Sequence, residues 1–418
     1  MIANKVSVPI ACWGDNTELD LTFPESWSVR QCTMNGHNAP ALTDDEIRRR
    51  LSSPHGTIPL RELAVGKKRI VILFDDLIRP TPTYRIIPSV LEELHAAGIS
   101  DGQIRFVAAI GTHGPMTRSE MVQKLGADIV ERFPVYNHNI YDNVVKVGVT
   151  SHGTPVFINR EVASCDLKLG IGGVIPYYAQ HVYNGGGKII LPGVSGMETI
   201  HDYHVSFHER SKGKPLDSRC EEGVPPYRIN LEEAARLAGL DFKVDLVQNN
   251  RKEVVGLFAG DFVDTHRAAS KWARGIYETE IAPPSDVVIL NTYPKEDQPM
   301  KGLWVAVQSV KPGGDVVILS HSANGLSHHH HLFGKFGTDY GGPGYSPGRH
   351  FTVGDAGRII FCTPYPSRVD VDSYPGDHVH FRRTWNETRL LLETGITGPA
   401  TVAVYPYGGI QMAQPKGD

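Results

Sequence analysis

Short apolar runs and amphipathic stretches alternate along this chain, separated by polar turns. "KRIVILFDD" (68–76) is an unbroken apolar run between charges and predicts a buried strand. "TPTYRIIPSVLEELHAAGI" (81–99) places Ile87, Val90, Leu91 and Leu94 on one helical face, with Pro88 in the first turn. "QIRFVAAIGTH" predicts a second strand, "TRSEMVQKLGADIVERF" a second helix and "CDLKLGIGGVIP" a third strand. "LEEAARLAGL" then predicts a helix, and "DFKVDLVQNNRKEVVGLFAGD" a β pair. "HRAASKWARGIYETEI" reads as a helix running to "APPSD", after which alternation restarts. There "DVVILN", "DVVILS", "GRIIFCTPYP" and "TVAVYPY" are strands, and "MKGLWVAVQSV" and "TWNETRLLLETG" are helices. Strand–helix alternation at this spacing is the mark of parallel sheets with crossover helices. Residues 1–60 read as short strands and turns that end in a helix near "LTDDEIRRRLSS". The expected architecture is therefore α/β with two domains. An N-terminal α/β domain spans 1–265, a linking helix and linker 266–284, and a C-terminal α/β domain 285–418. Ligands of open α/β sheets bind beyond the carboxyl ends of strands, which directs attention to the interdomain cleft.

Composition narrows the class. A chain of 418 residues with 40% hydrophobic and 21% charged residues is ordinary for a soluble globular protein. A net charge of −4 argues against a nucleic-acid surface. No apolar run approaches a membrane span, and the N-terminus lacks a signal peptide's apolar core, so the expected location is the cytoplasm. The five cysteines (Cys12, Cys32, Cys165, Cys220, Cys362) form no CxxC pair and suit neither a disulfide framework nor a zinc ribbon. The internal run His328–His331 reads as a polar surface loop.

Chemistry-bearing residues gather at the predicted strand ends. Asp75, Asp76 and Arg79 follow the first strand; Gly111, Thr112 and His113 follow the second; Gln298 and Lys301 follow "DVVIL". The third strand leads into "IPYYAQHVYNGGGKIILPGVSG", whose Gly185, Gly186, Gly187 and Lys188 look like a phosphate loop. That loop fails the P-loop pattern, because Ile189 stands where Ser or Thr would hold magnesium. In "TIHDYHVSFHER", His201, His204 and His208 fall at i, i+3 and i+7 on or near one helical face, a weak metal-site signal that chance surface histidines would also give.

Together "DDLIRPTP", "GTH", "GGGKIILPGVSGMETIHDYH" and "DQPMK" resemble the lactate racemase family that uses the nickel-pincer nucleotide, over most of the chain and in the same order. The resemblance implies that Lys188 is covalently tethered to a pyridinium-3-thioamide-5-thiocarboxylic acid mononucleotide. Its nickel would be held by two sulfurs and a ring carbon of the cofactor and by His204. It further implies that Gly185, Gly186, Gly187, Pro192 and Gly193 let backbone approach the nucleotide, beside Asp76 and Thr112. His113 would be one of two catalytic bases. Arg79, Gln298 and Lys301 would grip the substrate carboxylate, and Trp385 would be an aromatic clamp. The implied partners are a small hydroxy acid and cofactor-maturation enzymes, with neither nucleic acid nor membrane.

One position departs from the family. Its second catalytic histidine falls at Tyr178, and a histidine, His181, stands three residues later. Tyr178 or His181 is therefore the candidate second base. An unperturbed tyrosine is a poorer base near neutral pH than histidine. The implied reaction is racemisation or epimerisation of a 2-hydroxy acid, with a hydride held by the cofactor between removal and return. Tyr177, Tyr178, Gln180, His181, Tyr183 and Asn184 make the loop polar, which suits a hydroxyl-rich, aldonate-type sugar acid better than the methyl of lactate. Lactate or malate is the alternative substrate. A metal-dependent hydrolase built on Asp76 and the histidine cluster, and a non-catalytic sugar-acid- or nucleotide-binding protein, are the alternatives outside the family.

Overall fold

The computed structural model describes residues 4–14, 17–176, 183–207, 226–298, 302–323, 325, 352–366, 368–374 and 376–414. Tyr177, Tyr178, Gln180, His181, His208, Cys220, Lys301 and His328–His331 lie outside them.

Two six-stranded sheets carry the fold. In the first, the strands run in the order Val254–Gly260, Phe242–Gln248, Leu167–Gly173, Ile70–Phe74, Ile104–Ala108, Val135–Asn137. All pairings are parallel except that of the outermost strand Val254–Gly260, which returns antiparallel from Phe242–Gln248 as the sequence predicts. Ile70–Phe74 is buried at every position, as expected for a strand covered on both faces. The helix Ile87–Ala96 has Pro88 in its first turn, where a missing N–H costs nothing. The helix predicted over 117–133 is instead two, Arg118–Leu125 and Ala127–Arg132, because Gly126 between them takes φ 92°.

The second sheet is parallel throughout, in the order Val379–Arg382, Arg358–Cys362, Val310–Leu319, Ser285–Asn291, Thr401–Tyr405, Ser28–Gln31. Its last member corrects the expected boundary at 1–265. Ser28–Gln31 pairs with Thr401–Tyr405, and the hairpin Asn4–Pro9/Glu18–Phe23 packs through Val8, Leu21 and Phe23 against Val287, Val317 and Val402. The start of the chain thus completes the second domain. The helix expected as a linker, Phe262–Tyr277, lies on Phe242–Gln248 and Val254–Gly260 and so covers the first sheet. Its Ala269, Ala273 and Tyr277 also enter an apolar cluster with Cys12, Met34, Tyr293, Tyr407 and Met412, which joins the two domains behind the cleft.

In each sheet the chain winds outward in both directions from a central strand pair. The winding reverses between Ile70–Phe74 and Leu167–Gly173 in the first sheet, and between Ser285–Asn291 and Thr401–Tyr405 in the second. Connections leave such a switch point in opposite directions and open a crevice there. No helix among the described residues is long and apolar enough to cross a membrane.

Trp385 belongs to this framework and not to the cleft. It begins the helix Trp385–Gly395, is 4% exposed, packs edge-on to Phe23 at 5.3 Å, and donates its indole N–H to the Thr22 carbonyl at 3.1 Å. Truncating it leaves a cavity among Phe23, Val402 and Leu392. Trp385→Ala should lower the unfolding free energy by about 3–5 kcal/mol, measured by denaturant titration.

Candidate active site

The turn after Ile70–Phe74 is shaped by its two aspartates. Asp75 accepts hydrogen bonds from the Thr81 hydroxyl (2.7 Å) and the Gly173 N–H (3.0 Å), and pairs with the fully buried Lys124 ammonium at 2.7 Å. Lys124 also donates to the Asp76 and Arg79 carbonyls at 3.0 Å each. Asp75 is thus a clamp that ties the two strands of the switch point together. Asp76, one residue on, faces the site. Its Oδ2 lies 2.5 Å from His113 Nδ1. Burial alone would raise the Asp76 carboxyl, but His113, Arg79 and Lys124 outweigh burial and hold it below the ordinary carboxylate range. An ionised carboxylate can only accept, so Nδ1 is the donor in this contact and Nε2 is the other ring nitrogen.

Lys188 lies in the 3-10 turn Gly186–Ile189. Its loop is fastened from behind. Arg228 donates to the Gly185 and Tyr183 carbonyls (3.1 and 2.5 Å), and His266 Nε2 lies 3.1 Å from the Asn184 carbonyl. Asp245 accepts from the Gly186 N–H at 3.0 Å while pairing with Lys243 at 2.6 Å. These contacts give the glycines a role within the protein as well. A Cβ on Gly186, at φ 58°, would meet His266 Cβ at 2.9 Å, and one on Gly187 would meet Leu231 at 2.9 Å. Gly185, at φ 100°, is backed in the same way by Val174 and Asp245. The glycines are there so that the protein itself can close against the loop. Gly193 serves the far end: its N–H reaches the Lys188 carbonyl at 3.2 Å, and a Cβ there would lie 2.2 Å from the Ile189 carbonyl oxygen. Its own carbonyl accepts from the Gly111 N–H at 2.9 Å, which docks this loop on the Gly111–His113 turn, with Thr112 buried between.

One cavity is lined by Asp75, Asp76, Arg79, His113, Asn184, Gly185, Lys188 and Pro192. Burial, and then the guanidiniums of Arg228 and Arg79, bring the Lys188 ammonium down to about 7. Arg79 Nη1 is buried there and makes no hydrogen bond. His204 is drawn to the same region: burial and then Lys188 lower its imidazole to about 4, against a hydrogen bond from Nδ1 to the Ile200 carbonyl (2.9 Å). It is a neutral imidazole whose Nε2 carries the lone pair. The backbone is not the regular helix that the histidine spacing assumes, since Asp202–Ser206 is wound as a π turn after Met197–His201. Among the described residues no three His, Cys, Asp or Glu side chains converge to hold a metal by themselves.

Asp76 also lines a larger cleft of about 530 Å³. Its far wall comes from the carboxyl ends of Ser285–Asn291 and Val310–Leu319, with Glu296, Asp297, His321 and Ser322, and residues 11–14 cross between the domains. Glu296 accepts the Cys12 N–H at 2.7 Å, and burial, then Asp297, pushes its carboxyl up to about 7. Asp297 feels His113 and Arg79 as well as Lys295, so the two domains share one charge cluster; burial raises its carboxyl against them. Gln298 follows it, buried, with its N–H on the Lys295 carbonyl. The structure therefore brings Asp76, Arg79, His113, Lys188 and Pro192 to one cavity, with His204 beside it, and leaves Trp385 elsewhere. Sequence reasoning missed Arg228, His266, Glu296, Asp297, His321 and the Lys243–Asp245 pair. Only that pair carried a signal: two charges spaced by one residue in the otherwise apolar strand "FKVDLVQ".

Comparison with known proteins follows the same outline. The sequence profile of the lactate racemase N-terminal domain matches residues 14–214. A lactate racemase of Lactiplantibacillus plantarum is 30% identical over 292 residues, 68% of each chain. One from Thermoanaerobacterium thermosaccharolyticum is 31% identical over 289 residues, 68% of this chain and 66% of the relative. The structure of the lactate racemase apoprotein from Thermoanaerobacterium thermosaccharolyticum superposes with a TM-score of 0.71 at 24% identity, covering 98% of this chain and all of that one. A protein structure from Thermotoga maritima gives 0.63 at 16% identity over 90% of this chain and 99% of the other.

Burying Lys188 has a consequence for stability. The unfolded lysine titrates near 10.5 and the folded one near 7. Between those values the unfolded chain binds more protons, so this group makes stability rise with pH. Lys188→Met removes that penalty. The cofactor-free variant should melt above the cofactor-free parent at pH 7, and the gap should close toward pH 10 in a series of thermal scans.

Proposed function

The chain belongs to the lactate racemase family, and from that premise we propose that it is a racemase or epimerase of 2-hydroxy acids that carries a nickel-pincer nucleotide on Lys188. The observation that supports this most is the convergence of Lys188, Arg79 and the His113–Asp76 pair on one cavity. The residues fit such a group. A lysine near 7 is a nucleophilic amine at physiological pH, a neutral His204 offers Nε2 to a soft or borderline metal, and Arg79 Nη1 is left for an anion. Lys188 would carry the nucleotide, His204 would complete the nickel, and Asp76, Thr112, Pro192 and Gly193 would border it. When bound, the group supplies a reversible hydride acceptor. Its loading calls for partner enzymes that make it.

The chain's own residues do the rest. Arg79, with Gln298 and Lys301, binds the substrate carboxylate and fixes C2. His113 takes the 2-hydroxyl proton on Nε2, and Asp76 holds the tautomer that makes this possible and stabilises the imidazolium that forms. Inversion needs a second proton acceptor on the opposite face, for which Tyr178 and His181 are the candidates. Asp76→Asn should lower kcat by roughly 10²-fold or more with little change in the fold, checked by steady-state kinetics beside circular dichroism.

For the substrate we favour a polyhydroxylated acid, epimerised at C2. The cleft of about 530 Å³ is far larger than a three-carbon acid needs. Glu120, Glu296, Asp297, His321 and Ser322 line it and can bond hydroxyl groups, whereas the described residues lining it include no lysine or arginine for the second carboxylate of malate. The test is co-production with the cofactor-making enzymes, followed by peptide mass spectrometry, nickel analysis and a screen of hydroxy acids. A nucleotide-sized adduct on Lys188, about one nickel per chain and turnover of an aldonate are expected. Turnover of lactate with no aldonate accepted would overturn the substrate, and an unmodified Lys188 beside a loaded family relative would overturn the cofactor.

A further inference from the structure

Asn184 stands four residues before Lys188 and is 3% exposed. Its backbone is fully engaged: the N–H donates to the Ile175 carbonyl at 2.9 Å and the carbonyl accepts from His266. Its side chain is not. Both Oδ1 and Nδ2 are buried without a hydrogen-bond partner, and the residue lines the cavity around Lys188. A buried amide left with neither bond has lost its hydration at both groups and recovered nothing in return. Such a residue is retained where something else completes it.

The donor–acceptor pair restricts what that is. A phosphate or carboxylate only accepts; it would satisfy Nδ2 and set its charge against Oδ1. A cation would satisfy Oδ1 alone, and Arg79 and Lys188 already make the cavity positive. A vicinal diol offers one hydroxyl to donate and one to accept, so it answers both atoms at once. A free carboxamide would do so too, but it brings nothing for the cations. A ribose 5′-phosphate brings the diol and the anion in one molecule.

We infer that the Asn184 carboxamide, projecting into the Lys188 cavity, recognises a vicinal diol, that of the ribose of a pyridinium mononucleotide. This rests on the proposed nucleotide chemistry of the site. The same chemistry has a second source, the hydroxyls of a sugar-acid substrate, and the test separates the two.

Binding of nicotinic acid mononucleotide and of its 2′-deoxyribose counterpart is measured by calorimetry on the cofactor-free full chain, as wild type, Asn184→Leu and Asn184→Asp. The wild type should prefer the ribonucleotide by about tenfold, the size expected for lost hydrogen bonds. Asn184→Leu should bind both nucleotides alike. The readout is a ratio between two ligands on one protein, so a general loss of stability does not imitate it. Asn184→Asp keeps the shape and offers two acceptors to the diol hydroxyls, so it controls for packing and should retain a preference for the ribonucleotide that Asn184→Leu loses.

The second arm uses the cofactor-loaded enzyme. If the wild type does not distinguish the nucleotides, but Asn184→Leu raises KM for a polyhydroxylated acid about tenfold and leaves a small hydroxy acid unchanged, the diol is the substrate's. Equal behaviour of wild type and variants in both arms overturns the assignment. Failure of the cofactor reading itself would look different: Lys188 would stay unmodified after co-production, whatever the nucleotide preference.

Discussion

An ammonium group held out of water between two guanidiniums is the constraint around which this molecule is arranged. Burial, and then the charges of Arg228 and Arg79, bring the Lys188 ammonium down to about 7, so the site gives up proton affinity for nucleophilicity. That is sustainable only where the loop cannot relax toward solvent. Arg228 and His266 hold its carbonyls, Asp245 holds an amide N–H, and the absence of side chains on three residues lets two helices close over it. The cations that depress Lys188 also make the cavity a place for an anion. One arrangement therefore yields both a reactive amine and the field that would orient its partner.

The switch points explain why so much of the site was legible. Polar residues after "IVILF", "FVAAI" and "DVVIL" were expected at strand carboxyl ends, and the first parallel sheet does deliver Asp76, Arg79 and His113 to one crevice. What was not legible depended on partners far away in sequence. Arg228 lies more than forty residues beyond the carbonyls it binds, and as "PYRIN" it reads like any amphipathic helix start. The glycines were recognisable as necessary, but whether a ligand or a helix pressed on them is a tertiary fact. Trp385 shows the opposite error, where a conspicuous aromatic was assigned to chemistry and proved to be packing. Short strands were expected over residues 1–60, but the pairing of Ser28–Gln31 with the second sheet was not, because four residues with one apolar member carry almost no periodic signal.

The cleft is bounded differently on its two sides. On the first-sheet side His113 is fixed by a carboxylate on the neighbouring strand's turn, and that turn is itself tied down by a buried lysine. On the second-sheet side the wall includes Glu296 and Asp297, whose carboxyls burial pushes upward. A rigid face for the reacting carbon and a face of adjustable hydrogen-bonding acids for the remainder is a division suited to one reaction on chains of different length.

The N-terminal strand has a consequence for how the protein is made. Ser28–Gln31 leaves the ribosome early, yet its partner Thr401–Tyr405 is 370 residues further along. At roughly 5–20 residues per second, the strand waits on the order of 20–70 s for its place. The first domain's strands emerge in that interval and can pair among themselves, while the edge strand Ser28–Gln31 stays unpaired beside the opening hairpin. Closure of the second sheet is then a late, long-range event. Nascent chains stalled anywhere before residue 401 would expose the same apolar residues that the finished molecule hides, which makes the early segment the natural place for a chaperone to hold.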